Sequence, residues 1–284
     1  MAEKRVEDLS QISAFDDALN TVIVQAVAGT KAMPINALTN ALVKILVADG
    51  GSDSPAGMRN NIYRGKNIGT SLTTEQSATI QDGIFDDMFI GDYWLIGGAK
   101  WRIAHFDYWL NTGDTACTSH HAVIVPDSVL YQATMNDTNI TTGGYIGSKM
   151  YTTNLASAKT TINGAFGSSH ILSHRELLSN AVSTNAASAW AWYDSTVEIM
   201  NESMVYGSPV CSEKVAGGLN YNVGIDKTQL ALFRLRPELI TNRATWWLRC
   251  VLSSLAFATV GGSGDAYGNG ATSSYGVRPV FAIH

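Results

Sequence analysis

The chain has 284 residues, 45% of them hydrophobic and only 15% charged, with 26 glycines and a formal net charge of -5. That length and apolar fraction suit one large domain with a small appendage, and the low charge argues against helical bundles and coiled coils. The scattered basic residues lack the stripe of a nucleic-acid binder, and no run approaches the ~18 apolar residues of a membrane span.

In chain order, Met1–Asp8 is charged and leads into no apolar leader segment, so no secretory signal is expected. Leu19–Val27 is rich in β-branched residues and predicts a strand, Gly29-Thr30 a turn, and Lys31–Ile35 a returning strand. Asn36 is a candidate N-cap for a helix over Ala37–Val47, where Leu38, Leu42, Ile45 and Leu46 make one apolar stripe. Asp49–Ala56 is turn-rich and reads as a linker. The domains are therefore set at 1–52 and 53–284.

In the second unit, Leu72–Asp82 predicts a helix capped at Thr73 or Thr74. Tyr93–Ile96 and Trp101–Asp107 flank Gly97-Gly98 as a β-hairpin. Ala122–Val125 predicts a strand, and Leu130–Met135, Thr152–Phe166 and Ile171–Ala181 predict helices. Residues 183–225 read as irregular, and Leu230–Leu235 as a strand or a short helix. Ala244–Arg249, Leu255–Val260 and Gly276–Ile283 are short apolar segments with Gly/Ser-rich connections.

Signals for catalysis are weak. Cys117, Cys211 and Cys250 show neither metal spacing nor a disulfide framework, which fits folding in a reducing cytoplasm. His120 and His121 are adjacent and point to opposite faces of a strand. His170 and His174, with Glu176 beyond, would share a helix face, but Ile171 stands where a metalloprotease helix needs Glu. Asp86, Asp87 and Asp92 cluster before the hairpin, yet proximity in sequence does not make the facing carboxylate pair of a glycosidase. No catalytic residue, metal ligand or cofactor is assigned.

The tail carries more information. About half of residues 250–275 are Gly, Ser, Tyr or Asn, the composition of antibody-like paratopes. Trp246-Trp247 before this stretch and Val277, Pro279, Val280, Phe281 and Ile283 after it are apolar clamps that a simple linker does not need.

The segments WWLR (246–249), FA-x-V (257–260) and GVRPVF (276–281) resemble the end of variable proteins with a C-type lectin fold, the targets of diversity-generating retroelements in phages and bacteria. YWLIGG-x-x-WRIAHFDYW (93–109) and the stretch from Asp114-Thr115 to His120-His121 also resemble members of this group from phages of gut bacteria. The resemblance spans about residues 60–284. It implies diversification at template adenines, by which Asn codons change to others but never to Lys, Gln, Glu, Met or Trp. None of those five occurs in 250–275.

On this pattern Val251, Phe257, Ala258, Val260 and the terminal strand are scaffold. Cys250, Leu252, Leu255, Thr259, Gly261, Gly262, Ser263, Asp265, Tyr267, Gly268, Asn269 and Tyr275 are the displayed, ligand-binding positions, with Tyr267 and Tyr275 as the expected hot spots. The calcium–sugar tripeptides of animal C-type lectins are absent. The first fifty residues resemble N-terminal modules of phage tail and fibre proteins.

The expectation is thus an α+β protein. A C-type-lectin-like domain, with its variable region at about 246–284, follows a small N-terminal αβ module for docking or oligomerisation. The implied role is receptor binding on a phage tail, as a homo-trimer made in the bacterial cytoplasm and acting outside it. Its ligand would be a bacterial surface protein or glycan, and neither nucleic-acid binding nor membrane insertion is expected. The alternatives are a cell-surface display protein and a tail-spike glycan hydrolase.

Overall fold

A computed structural model of the chain describes residues 21–26, 29–34, 55–183, 186–212 and 228–284. The protein is mixed α+β, mostly sheet, and divides into two compact units, Met1–Asp53 and Ser54–His284. In the first unit, β1 (Thr21–Ala26) pairs antiparallel with β2 (Gly29–Pro34), running from Thr21↔Pro34 to Ala26↔Gly29. The helix expected over Ala37–Val47 lies outside the described residues. The expected linker ends earlier than Ala56, because Pro55 opens helix α1 (Pro55–Arg59). Proline suits a first helical turn, where its missing N–H has no partner to lose.

The second unit holds two larger sheets and a ribbon. Strand β3 (Asn67–Gly69) leads to helix α2 (Thr74–Gln81), whose N-cap is Thr73. The Gln76 N–H donates to Thr73 Oγ1 and the Thr73 N–H to Gln76 Oε1, which closes a capping box. The same Gln76 oxygen accepts the Trp94 indole N–H at 2.9 Å, so the cap also anchors the helix to β4 (Tyr93–Ile96). Strands β4 and β5 (Ala99–Phe106) form the expected hairpin; Gly97 and Gly98 both have positive φ, which glycine adopts without strain.

Strand β6 (Ala122–Pro126) follows, then β7 (Tyr131–Ala133). The helix expected over Leu130–Met135 is therefore corrected to a strand. Its pairing with Tyr275–Val277 is a long-range contact that local propensity does not encode. A single π-turn (Met150–Asn154) enters helix α3 (Leu155–Phe166), whose Leu155, Ala158, Ile162 and Phe166 are buried at helical spacing. Phe166 packs edge-on against Trp94 and Trp101 and at 5.4 Å from Phe281, which seats α3 on the six-stranded sheet.

The second correction concerns Ile171–Ala181, expected as a helix. The chain forms β8 (His174–Ser183), paired with β9 (Ala186–Ser195) in a ribbon. His174, Glu176 and Leu178 alternate inward, a period of two disguised by polar residues on the buried side. The stretch expected to be irregular contains β9, β10 (Val197–Ile199) and helix α4 (Glu202–Tyr206), with 213–227 outside the described residues. Leu230–Leu235 contains helix α5 (Ala231–Leu235).

The tail supplies β11 (Trp246–Val251), β12 (Ala256–Val260), β13 (Ala266–Gly270), β14 (Tyr275–Val277) and β15 (Pro279–Ile283). The six-stranded sheet runs β10-β15-β6-β5-β4-β3 and the five-stranded sheet β13-β12-β11-β14-β7. One residue, Arg278, separates β14 in the second sheet from β15 in the first. Every residue of β15 is buried, which accounts for its unbroken apolar run. Among the described residues, no helix is long and apolar enough to cross a membrane.

Candidate ligand-binding face

Strands β11, β12 and β13 make an antiparallel ribbon through which the expected binding positions are threaded. Register puts Trp247, Thr259 and Tyr267 in one row across it, and Phe257 beside Asn269 in the next. Trp246, Val260 and Ala266 form a row on the opposite face.

Of the twelve expected positions, Leu255, Ser263, Asp265 and Tyr267 are exposed. Tyr267 is 60% exposed and Leu255 56%. Cys250, Leu252, Gly262, Gly268, Asn269 and Tyr275 are half-buried. Thr259 and Gly261, expected to be displayed, are buried.

Each correction has a local cause. Asn269 Nδ2 donates to Thr259 Oγ1 at 2.8 Å, and Tyr275 OH donates to Asn269 Oδ1 at 3.1 Å. The Tyr275 ring packs on Trp247 with centroids 5.2 Å apart. Thr259 therefore satisfies its hydroxyl inside the fold rather than with solvent. Gly261 lies beneath the Asp265 carboxylate, where an added Cβ would collide with it, and its N–H donates to Asp265 O at 2.7 Å. Leu252 folds over Gly268, whose lack of a Cβ makes room for it.

Cys250 turns away from the face. Its sulfur accepts the Glu202 N–H at 3.3 Å, and burial pushes its thiol up to about 12. No disulfide joins the three cysteines.

One contributor was missed. The segment 136–142 lies against the tail, with the Thr141 N–H donating to Ser254 O and Thr141 Oγ1 donating to Ser253 O. Thr272 donates to Asn139 Oδ1 from both its N–H and its hydroxyl. This presents Ile140, 54% exposed, on the segment that packs beside Leu255. The available signal was a single aliphatic residue inside the polar run TNITT.

The candidate chemical residues have structural partners. Arg64 binds both Asp87 and the buried Asp92, and Asp92 also accepts the Lys66 and Phe89 N–H groups. Asp107 accepts the His121 N–H and pairs with His120 Nδ1 at 2.8 Å. His170 ends a 3-10 turn (Ser168–His170) and His174 opens β8, so the expected shared helix face does not form. Among the described residues, no group of three or more His, Cys, Asp or Glu side chains could hold a metal ion.

Glu176 acts electrostatically on a second buried acid, Glu198. Glu176 itself is ion-paired to Arg249 and accepts the Trp109 indole N–H at 2.8 Å. Glu198 accepts from Tyr145 OH at 2.6 Å and Ser195 Oγ at 2.8 Å. Burial pushes the Glu198 carboxyl up to about 7, reinforced by the Glu176 charge. Burial works the same way on Glu176, but Arg249 and His174 beside it outweigh that and hold it down at about 2. The two acids are only 4% and 3% exposed. The cavity beside Arg249 measures about 50 Å³, room for a few waters and far below a sugar-sized pocket.

No family model matches this chain, and comparison with curated proteins and with solved structures finds no match.

Proposed function

We propose that this is a recognition protein that binds its ligand on the exposed part of the β12–β13 ribbon, widened by the segment carrying Ile140. One observation carries this reading. Leu255, Ser263, Asp265 and Tyr267 are exposed on a ribbon whose remaining positions bury Trp246, Trp247, Phe257, Ala258 and Val260. Apolar and aromatic anchors amid small polar residues are the chemistry of a protein-type contact surface.

On the same reading the larger unit has a C-type-lectin-like fold and its tail is diversified by a retroelement. The protein then works on a phage tail, where the N-terminal unit docks or trimerises it. Repeated copies on one particle strengthen weak single contacts through avidity. A cell-surface display protein would use the same face. The electrostatic proximity of Glu176 and Glu198 is the one observation favouring a glycan hydrolase, and the burial of both acids speaks for recognition instead.

Codon-level sequencing of this gene across a natural population tests the proposal. Adenine-derived changes concentrated at exposed and half-buried positions of 250–275, sparing Phe257, Ala258 and Val260, are the expected result. Changes spread evenly along the chain, or an invariant tail, overturn the diversification.

A further inference from the structure

Strand β13 is an outer strand of its sheet. The Gly261 N–H donates to Asp265 O at 2.7 Å and the Ala271 N–H to Leu255 O at 3.0 Å. Both pairs lie in register with Thr259↔Tyr267 and Phe257↔Asn269. Alternate residues of an antiparallel strand bond the same neighbour. Tyr267 and Asn269 therefore bond β12, while Ala266, Gly268 and Gly270 turn their backbone groups outward. The Gly270 carbonyl is taken by the Ser273 N–H. The outward N–H and C=O groups of Ala266 and Gly268 have no partner among the described residues.

Outer strands are normally blunted by Lys, Pro, bulges or inward charges, since a bare edge is a template for another chain. The segment AYGNG has none of these, and its five pairs with β12 run without a register shift. Its outward-bonding residues are Ala and Gly, so an arriving backbone meets little bulk. Tyr267, between them, is the most exposed large apolar residue described.

We propose that the ligand of this face is a polypeptide that adds an extended strand to the outer edge of β13. This rests on the reading of the ribbon as a binding face. The incoming strand pairs its N–H and C=O groups with those of Ala266 and Gly268 and lays a side chain against Tyr267. The unmet groups alternate donor and acceptor at the two-residue repeat of a β-strand, about 6.8 Å. A peptide backbone matches that spacing and a sugar chain does not. Asp265, exposed where the strand begins, suits a basic residue in the ligand.

The test pans a displayed random dodecapeptide library on the full chain and resynthesises the tightest binder. Its affinity is measured for the parent protein, Ala266→Pro, Tyr267→Ala and Leu255→Ala, and for peptides N-methylated at each position in turn. Ala266→Pro removes an outward N–H, adds no new Cβ and leaves the bonds of Tyr267 and Asn269 to β12 in place. N-methylation at alternate peptide positions is expected to weaken binding about tenfold, the loss of a backbone hydrogen bond or two. Intervening positions should change little, and the amides of Ala266 and Gly268 should slow in hydrogen exchange when peptide is bound. That exchange readout needs no variant to fold.

N-methylation effects without alternation, or a library that yields no binder, overturn strand addition. So does a glycan that binds in place of any peptide and is lost in Tyr267→Ala, although the binding face then stands. Self-association through β13 without peptide binding also overturns it. If Ala266→Pro weakens peptide binding while Tyr267→Ala and Leu255→Ala do not, the edge pairing holds and the wider face falls.

Discussion

Asn269 Nδ2 donates to Thr259 Oγ1 at 2.8 Å, across the pair of strands at the centre of the candidate binding face. Two residues read from sequence as displayed are thus partners inside the fold. Replacing Asn269 by Ala should cost about 1–2 kcal/mol, because it strands the buried Thr259 hydroxyl. Thr259→Val in the Asn269→Ala background should recover much of that loss, since the stranded group is then gone. Urea unfolding of the two single variants and the double variant reads the coupling, and additive losses would mean the bond contributes nothing.

Display and scaffold positions on the same ribbon should separate by stability. Tyr267→Ala and Leu255→Ala remove exposed side chains and should stay within about 0.5 kcal/mol of the parent. Phe257→Ala empties a fully buried site and should cost about 3–5 kcal/mol. Thermal unfolding of the three variants makes the comparison. A large loss at Tyr267 would place its ring in the core and remove it as a binding anchor.

Where local chemistry decided the structure, the sequence was readable. The helix cap at Thr73 and the Gly97-Gly98 hairpin need only neighbours in the chain. Where distant partners decided, it was not. His174 and Glu176 sit on the buried side of β8 because Trp109 and Arg249 meet them there, from 65 or more residues away in the chain. Strand β7 exists because β14 pairs with it. In the tail the apolar segments of β11, β12 and β15 were visible, but β13, whose AYGNG has no apolar run, was not, nor was the outward set of side chains. Thr259 looked solvated until Asn269 and Tyr275 supplied its partner.

Glu198 gives stability a pH dependence of its own. Its carboxyl is raised from 4.5 to about 7, so the folded chain holds a proton that the unfolded chain releases. Its contribution is fully present below pH 4.5 and is lost as pH rises through 7. At about 1.4 kcal/mol per unit, the span is about 3 kcal/mol. His121 acts oppositely. Burial lowers it from 6.5 to about 3, so its contribution is present above pH 6.5 and lost as pH falls. Subtracting the parent from Glu198→Gln at each pH isolates the first effect. The relative stability of Glu198→Gln should climb by about 3 kcal/mol between pH 4.5 and 7. A flat difference would mean that Glu198 is ionised throughout.

Arg278 stands where the chain leaves one sheet for the other, between β14 and β15. It is fully buried with no ion-pair partner among the described residues, and its guanidinium donates to Pro126 O and Leu239 O, each at 3.0 Å. It also lies over the Phe233 and Trp246 rings, 5.2 and 5.1 Å from their centroids. A buried cation is costly unless such acceptors and ring faces replace water. Here they fix the spacing between a strand that ends beside Trp246 and one that begins beside Pro126. Arg278→Met keeps much of the bulk but strands two carbonyls and should cost about 2–4 kcal/mol. Arg278→Lys keeps the charge but cannot span both carbonyls with one planar group, so it should rescue little. Equal stability of Lys and Arg at this position, measured by urea unfolding, would show that charge rather than the guanidinium's reach holds the two sheets together.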